Sequence, residues 1–245
     1  NTPATLEEQI LARNIPDEQI TFATDEKTLF YTKQEKGEVQ KGDLKLLKSP
    51  EDRQAGYTDR SFIYRYDMRT GLSQQLTYGN HSTWLNDVSY DGKHLLFSIT
   101  DETLTERPFR KYSMFKLTLP DMIIDTLWTN EGFAYNASFS PDAKKVLIGG
   151  SAEAFGGIGS DLSEGQIANS YNRLAFIMDI ATKKVESITK QFDPSIDYAF
   201  WNKKDNMIYL RTTDKDYVNV YTYNPSNKKF SKLLLNEDVI RKFDI

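Results

Sequence analysis

The chain has 245 residues, a net charge of -4, 39% hydrophobic and 13% aromatic residues, and no cysteine. That apolar share fills a core and excludes a disordered chain. The acidic balance offers no basic face for nucleic acid. The missing cysteines exclude disulfides and thiolate metal sites while leaving the compartment open. No apolar run approaches the ~20 residues that a membrane-spanning helix needs.

Asn1 rather than Met opens the chain. This is expected of a trimmed N-terminus, whether a secreted precursor was processed or the piece was cut by design. Residues 1–18 are expected to hold a lead-in helix. Thr2 or Thr5 would cap it, Leu6, Ile10 and Leu11 would form its apolar stripe, and Pro16 would end it.

From Ile20 onward one pattern recurs four times. An aromatic or apolar strand meets a turn rich in Asp, Gly, Asn or Lys, and a β-branched or aromatic strand follows. The four copies are Ile20 to Lys33, Asn86 to Thr100, Asn136 to Ser151 and Asp197 to Thr212. In the third, Ser140-Pro141-Asp142 gives the turn its mechanism: Pro141 presets φ and Asp142 accepts nearby backbone amides. Asp25, Asp91, Asp142 and Asp205 read as equivalent turn residues.

A second hairpin follows each first one. Its turns are Asp67 to Gly71, Pro120-Asp121, Thr182-Lys183-Lys184 and Asn224 to Asn227. Each unit therefore holds four strands. The units fall at 19–77, 85–128, 135–189 and 196–235. Their spacing of roughly 60 residues exceeds the ~40–50 of compact propeller repeats, and inserted loops supply the difference. A four-stranded unit repeated without intervening helices marks an all-β fold, a β-propeller of four blades with four antiparallel strands each. A sandwich of hairpins is the alternative, but the turn chemistry repeats in phase.

The long inserts, Gln34 to Arg60 and Ala152 to Asn172, both join the second and third strands of their blades, which places irregular chain on one face. Loops on a rigid scaffold are where binding usually sits. The second insert carries Gly156, Gly157 and Gly159, which permit positive φ or close backbone approach. The candidate substrate contacts are Glu153, Phe155, Asp161 and Glu164, of which Glu153, Asp161 or Glu164 could bind an amine through its carboxylate. A plain surface excursion is the alternative.

Catalytic chemistry is not legible. Gly149-Gly150-Ser151-Ala152-Glu153 lacks the last Gly of a nucleophile elbow. His81 and His94 are the only histidines, and both read as surface or edge residues. No cofactor or metal site is expected; with two histidines and no cysteine a zinc site is not supported.

The segments Ser89-Tyr90-Asp91-Gly92-Lys93-His94-Leu95-Leu96-Phe97-Ser98 and Ser138-Phe139-Ser140-Pro141-Asp142-Ala143-Lys144-Lys145-Val146-Leu147-Ile148 carry a resemblance. With their Tyr-Asp-x-x-Thr-Gly-type hairpins and closing Leu-Thr, they resemble the propeller of the prolyl oligopeptidase family, which includes dipeptidyl peptidase IV and acylaminoacyl peptidases. TolB-type propellers share the repeat. Ser151 to Gly159 looks more like the secreted bacterial peptidases. The resemblance covers the chain from Ile20 on. It implies a propeller of seven or eight blades followed by an α/β-hydrolase domain with Ser, Asp and His, the propeller restricting entry to peptides. This chain would then be the N-terminal part, not catalytic by itself, periplasmic or extracellular, with peptide substrate reached through the parent enzyme. The family's paired glutamates for a substrate amine are not found; Glu7-Glu8 lies in the wrong place. The rival expectation is a self-contained propeller that binds a protein or glycan. Four blades would close into a small ring or form an open arc. The large inserts and the resemblance favour the arc, whose bare outer faces on the first and fourth blades would make the isolated chain self-associate or leave it marginally soluble.

Overall fold

The computed structural model describes residues 12, 15–16, 19–37, 56–163, 165–166 and 171–243. The expected lead-in helix, most of the first insert and Glu164 lie outside them. The described residues form four antiparallel sheets of four strands, each in simple chain order. The first sheet is β1 (Ile20–Phe22), β2 (Thr28–Glu35), β3 (Arg60–Asp67) and β4 (Leu72–Gln75). The second is β5 (Trp84–Val88), β6 (His94–Glu102), β7 (Arg110–Thr118) and β8 (Ile123–Glu131). The third is β9 (Ala134–Phe139), β10 (Lys145–Ser151), β11 (Arg173–Asp179) and β12 (Val185–Ser187). The fourth is β13 (Ser195–Trp201), β14 (Ile208–Asp214), β15 (Tyr217–Asn224) and β16 (Lys229–Lys232). Two compact units result: Asn1–Trp84 with the first sheet, and Leu85–Ile245 with the other three.

The repeated turns are built from the same side-chain bonds. Ser89 Oγ accepts the His94 amide at 2.9 Å and donates to Asp91 at 2.6 Å, while Asp91 accepts the Lys93 amide at 3.1 Å. Ser140 and Asp142 repeat this with the Lys145 and Lys144 amides at 2.9 and 3.1 Å. Burial raises the Asp91 and Asp142 carboxyls, but these hydrogen bonds outweigh it and hold both below the usual carboxylate range. Asp25, in the first sheet, takes the Lys27 and Thr28 amides at 2.9 and 3.0 Å.

The fourth turn departs by one position. Counting from the strand ends, Lys204 rather than Asp205 falls where Asp25, Asp91 and Asp142 stand. The loop closes from the Asn206 amide to the Asn202 carbonyl, one residue wider than the others, with Asn206 at φ 60. Asp205 still accepts the amide two residues on, from Met207 at 2.9 Å, so its chemistry is kept.

The closing pairs Leu76-Thr77 and Ile188-Thr189 have a role as well. Ile188 continues the β12 ladder onto the Ala175 carbonyl, and the fully buried Thr189 accepts the Ala175 amide at 2.8 Å. In the first unit Leu76 and Thr77 do the same for Ile63, at 2.9 Å from the Ile63 amide to Thr77 Oγ1. A threonine just past the outer strand thus satisfies a backbone donor that the ladder no longer reaches.

In the second unit the sheets pack face to face. Leu96, Met114 and Leu127 of the second sheet meet Phe139, Val146, Ile148, Phe176 and Met178 of the third. Leu147, Ala175 and Ile177, on the opposite face of the third sheet, meet Trp201, Ile208, Leu210 and Tyr223 of the fourth. Period-2 alternation along β10 and β11 therefore feeds two cores. The far face of the fourth sheet was expected to lie bare. The chain after β16 crosses part of it: Arg211 Nε donates to the Ile240 carbonyl at 2.8 Å, and Phe243 packs on Phe200 and Tyr209 with ring centroids 5.7 and 6.4 Å away.

Candidate functional site

A cavity of about 400 Å³ opens among the first strands of the three sheets in the second unit, β5, β9 and β13. Small residues make room for it. Gly149 donates its amide to Asn136 Oδ1 at 3.0 Å, and a Cβ there would collide with that oxygen. A Cβ on Gly150 would lie 2.8 Å from the Phe133 carbonyl oxygen.

Two β-bulges lie at the cavity mouth. The β9–β10 register slips between Gly149 and Gly150, which leaves Tyr135 as the extra residue. The β13–β14 register slips between Ile196 and Tyr198, which leaves Asp197 extra. Both extra residues line the cavity, and the Asp197 carboxylate turns to Thr213 and Arg211 of β14. Tyr135 is 45% exposed, whereas Tyr198 packs beside Phe200 with ring centroids 6.0 Å apart. Arg173, opposite Ser151 at the start of β11, lines the same mouth.

At the other end sits Asp87. Its two oxygens accept the Val88 amide at 2.8 Å and the Phe139 amide at 2.7 Å, so it ties β5 to β9. Burial pushes its carboxyl above the ordinary range, although the two amides and the Lys203 charge pull the other way. Lys203 Nζ reaches the Val88 carbonyl at 3.4 Å and lies 5.9 Å from the centre of the Tyr90 ring.

The glycine-rich insert is ordered at its root. Ala154–Gly157 forms one short helical turn, but Phe155 (φ 55, ψ 45) and Gly156 (φ 75, ψ 24) are left-handed. A phenylalanine there is costly and needs anchoring. Glu131 supplies it, accepting the Phe133 and Phe155 amides at 2.8 Å each. Trp128 and Phe176 hold the Phe155 ring edge to face at 5.5 and 5.9 Å. Phe155 is thereby packed on the core between the second and third sheets. Glu153 accepts the hydroxyl of the fully buried Ser151 at 2.5 Å. Asp161 is exposed and borders a hollow of about 250 Å³ with Lys190, Gln191 and Asn172. Glu164 lies outside the described residues. A neighbouring hollow of about 360 Å³ lies between Tyr171, Asp193 and Lys215, so the insert, the β12–β13 connection and the β14–β15 turn meet on one face.

The residues of the cavity mouth were not singled out from the sequence. Gly149-Gly150 was the available signal, since paired glycines inside a strand mark a bulge or a close approach. Among the described residues no cluster of His, Cys, Asp and Glu could hold a metal ion. No helix among them is long and apolar enough to cross a membrane. His94 Nδ1 is bonded to Thr118 Oγ1 at 3.1 Å across the β6–β7 pair, and burial lowers its pKa.

No family model matches the chain, and no curated protein does. Solved structures do match. Acylaminoacyl peptidase from Pyrococcus horikoshii is 15% identical with a TM-score of 0.64, covering 93% of this chain and 33% of its own. The β-propeller domain of the trilobed protease from Pyrococcus furiosus is 14% identical with a TM-score of 0.58, covering 96% and 59%. TolB from Acinetobacter baumannii is 15% identical with a TM-score of 0.53, covering 92% and 45%. The chain therefore spans between a third and three fifths of the length of these structures. At such identities the likeness is one of fold, and it identifies the four sheets as blades of a β-propeller.

Proposed function

We propose that this chain is the propeller portion of a prolyl oligopeptidase-like serine peptidase, in which it admits and holds peptides for a separate α/β-hydrolase domain. The observation that carries the reading is the cavity between β9 and β13, with its bulged Tyr135 and Asp197 and its amide-bearing Asn86 and Asn136. Asparagine amides suit the peptide backbone, and exposed rings suit its side chains. The fold likeness to the propellers of acylaminoacyl peptidase and the trilobed protease supports it. Asp161, on the neighbouring face, has no partner among the described residues and remains the amine-binding candidate of the insert. The parent enzyme would be periplasmic or extracellular.

The chain alone should bind short peptides and not cleave them. Titration of the purified chain with peptides, followed by tryptophan emission, tests binding; chromogenic aminoacyl-proline substrates test cleavage. Turnover abolished by Ser151→Ala would overturn the assignment. The fold likeness to TolB favours a second reading, a stand-alone propeller that binds a protein. Coding sequence past Ile245 that contains further repeats and a G-x-S-x-G elbow supports the peptidase. An immediate stop supports the binding module.

A further inference from the structure

We infer that the mouth of the β9–β13 cavity selects ligands by a carboxylate, with Arg173 as the receiving cation. The inference rests on the peptide-binding reading above and sets the charge that this site prefers. Two acidic side chains line the cavity, and both are committed. Asp87 accepts two backbone amides and faces Lys203. Asp197 accepts the Thr213 hydroxyl at 2.7 Å and lies 3.8 Å from Arg211. The nearby carboxylates of the insert root are committed too, Glu131 to two amides and Glu153 to Ser151.

The cations differ. The Arg173 guanidinium has no ion-pair or hydrogen-bond partner among the described residues; only its backbone amide is bonded, to Ser195 Oγ at 3.1 Å. Lys203 is already engaged, by the Val88 carbonyl at 3.4 Å, the Tyr90 ring and the Asp87 carboxyl. Arg173 is therefore the charged side chain of the cavity left without a partner among the described residues. A guanidinium fork matches a carboxylate bidentately and stacks on aromatic rings. The β9–β10 register places Arg173 level with the start of β9, whereas Asp87 and Lys203 lie at its end. The distance is roughly 15 Å along the strand, a span of about four extended residues. A peptide with its C-terminal carboxylate on Arg173 would then run along β9 toward Lys203. An acidic side chain near its end would meet the same cation.

The test uses the 245-residue chain and equimolar pools of tryptophan-free N-acetyl tetrapeptides in three forms: free acid, C-terminal amide, and amide with glutamate as the last residue. Binding is read from tryptophan emission, since Trp201 lines the cavity. The free acids should bind at least about tenfold tighter than the amides. Salt should shrink the difference. Arg173→Ala should abolish it at an unchanged melting temperature, and Arg173→Lys should restore part of it. Glutamate amides that match the free acids assign the preference to any carboxylate; glutamate amides that match the plain amides assign it to the chain terminus. Acids and amides that bind equally overturn the inference and leave peptide binding standing. Absence of binding by all three pools overturns both.

Discussion

Lys183 Nζ donates to Asp125 Oδ2 at 2.6 Å, and Lys228 Nζ donates to Glu186 at 2.9 Å, so the same turn position in the third and fourth sheets reaches back to the outer strand of the sheet before it. Both lysines close their hairpins from the left-handed region, at φ 60 and 58, with amides bonded to Asp179 and Asn224 carbonyls at 2.8 Å. Gly71 holds this position in the first sheet and Met122 in the second. The ion pairs offset a backbone conformation that glycine would adopt without strain.

Lys183→Gly therefore sets two terms against each other. It relieves a left-handed strain of about 1 kcal/mol and loses a half-exposed ion pair of about 0–1 kcal/mol. Screening weakens only the second term. The variant should match the wild type at low salt and melt above it at molar salt. A variant that melts lower at every salt concentration would show that the pair outweighs the strain.

Thr189→Val keeps the shape of a fully buried side chain and removes the acceptor of the Ala175 amide. An orphaned buried donor costs about 1–3 kcal/mol. The midpoint of urea unfolding should fall accordingly with an unchanged slope. Thr182→Val, at an exposed turn, should cost less than half as much.

Asp87 carries a pH dependence opposite to that of the turn aspartates. Burial raises its folded pKa, so the folded state holds the proton more tightly than the unfolded chain does. Its contribution is present below the unfolded value and is lost as pH rises through the folded one. Asp25 and Asp142 have lowered folded values, so their contributions appear as pH rises through the carboxylate range. Asp87→Asn loses one amide acceptor, a constant cost. Relative to that variant, the wild type should lose stability as pH climbs above 3.8, the unperturbed aspartate value. A difference between the two that is flat with pH would refute this.

Phe243→Ser uncovers Phe200 and Tyr209 on the far face of the fourth sheet. Light scattering across a concentration series should then report a larger apparent mass than for the wild type. Equal masses would mean that this face does not drive association.

The repeat was legible because its physics is local. Ser89 with Asp91, and Ser140 with Asp142, bond to amides within five residues, so spacing alone exposes them. Asp205 reads as their equivalent because it still accepts an amide two residues on, and only the wider loop at Asn202 shows the slip. The site was less legible. Period-2 alternation cannot reveal a single extra residue, so Tyr135 and Asp197 read as ordinary strand positions. Glu153 and Phe155 read as free loop residues because their partners, Ser151, Glu131, Trp128 and Phe176, come from two sheets.

The last strand of each sheet bears on whether copies of the chain zip together edge to edge. Strands β4, β12 and β16 are four, three and four residues long, too short to template an added strand. Strand β8 runs for nine residues and exposes Ile123 and Ile124, which would make it the obvious template. Its pairing with β7 is broken twice, between Tyr112 and Met114 and again between Met114 and Phe115. Bulges bend and twist a rim, and a twisted rim cannot offer a straight row of free amides and carbonyls. Both surplus residues lie on β8, at Leu127 and at Thr129-Asn130 opposite Ser113, so removal of Asn130 would straighten that end of the rim and favour ordered aggregation.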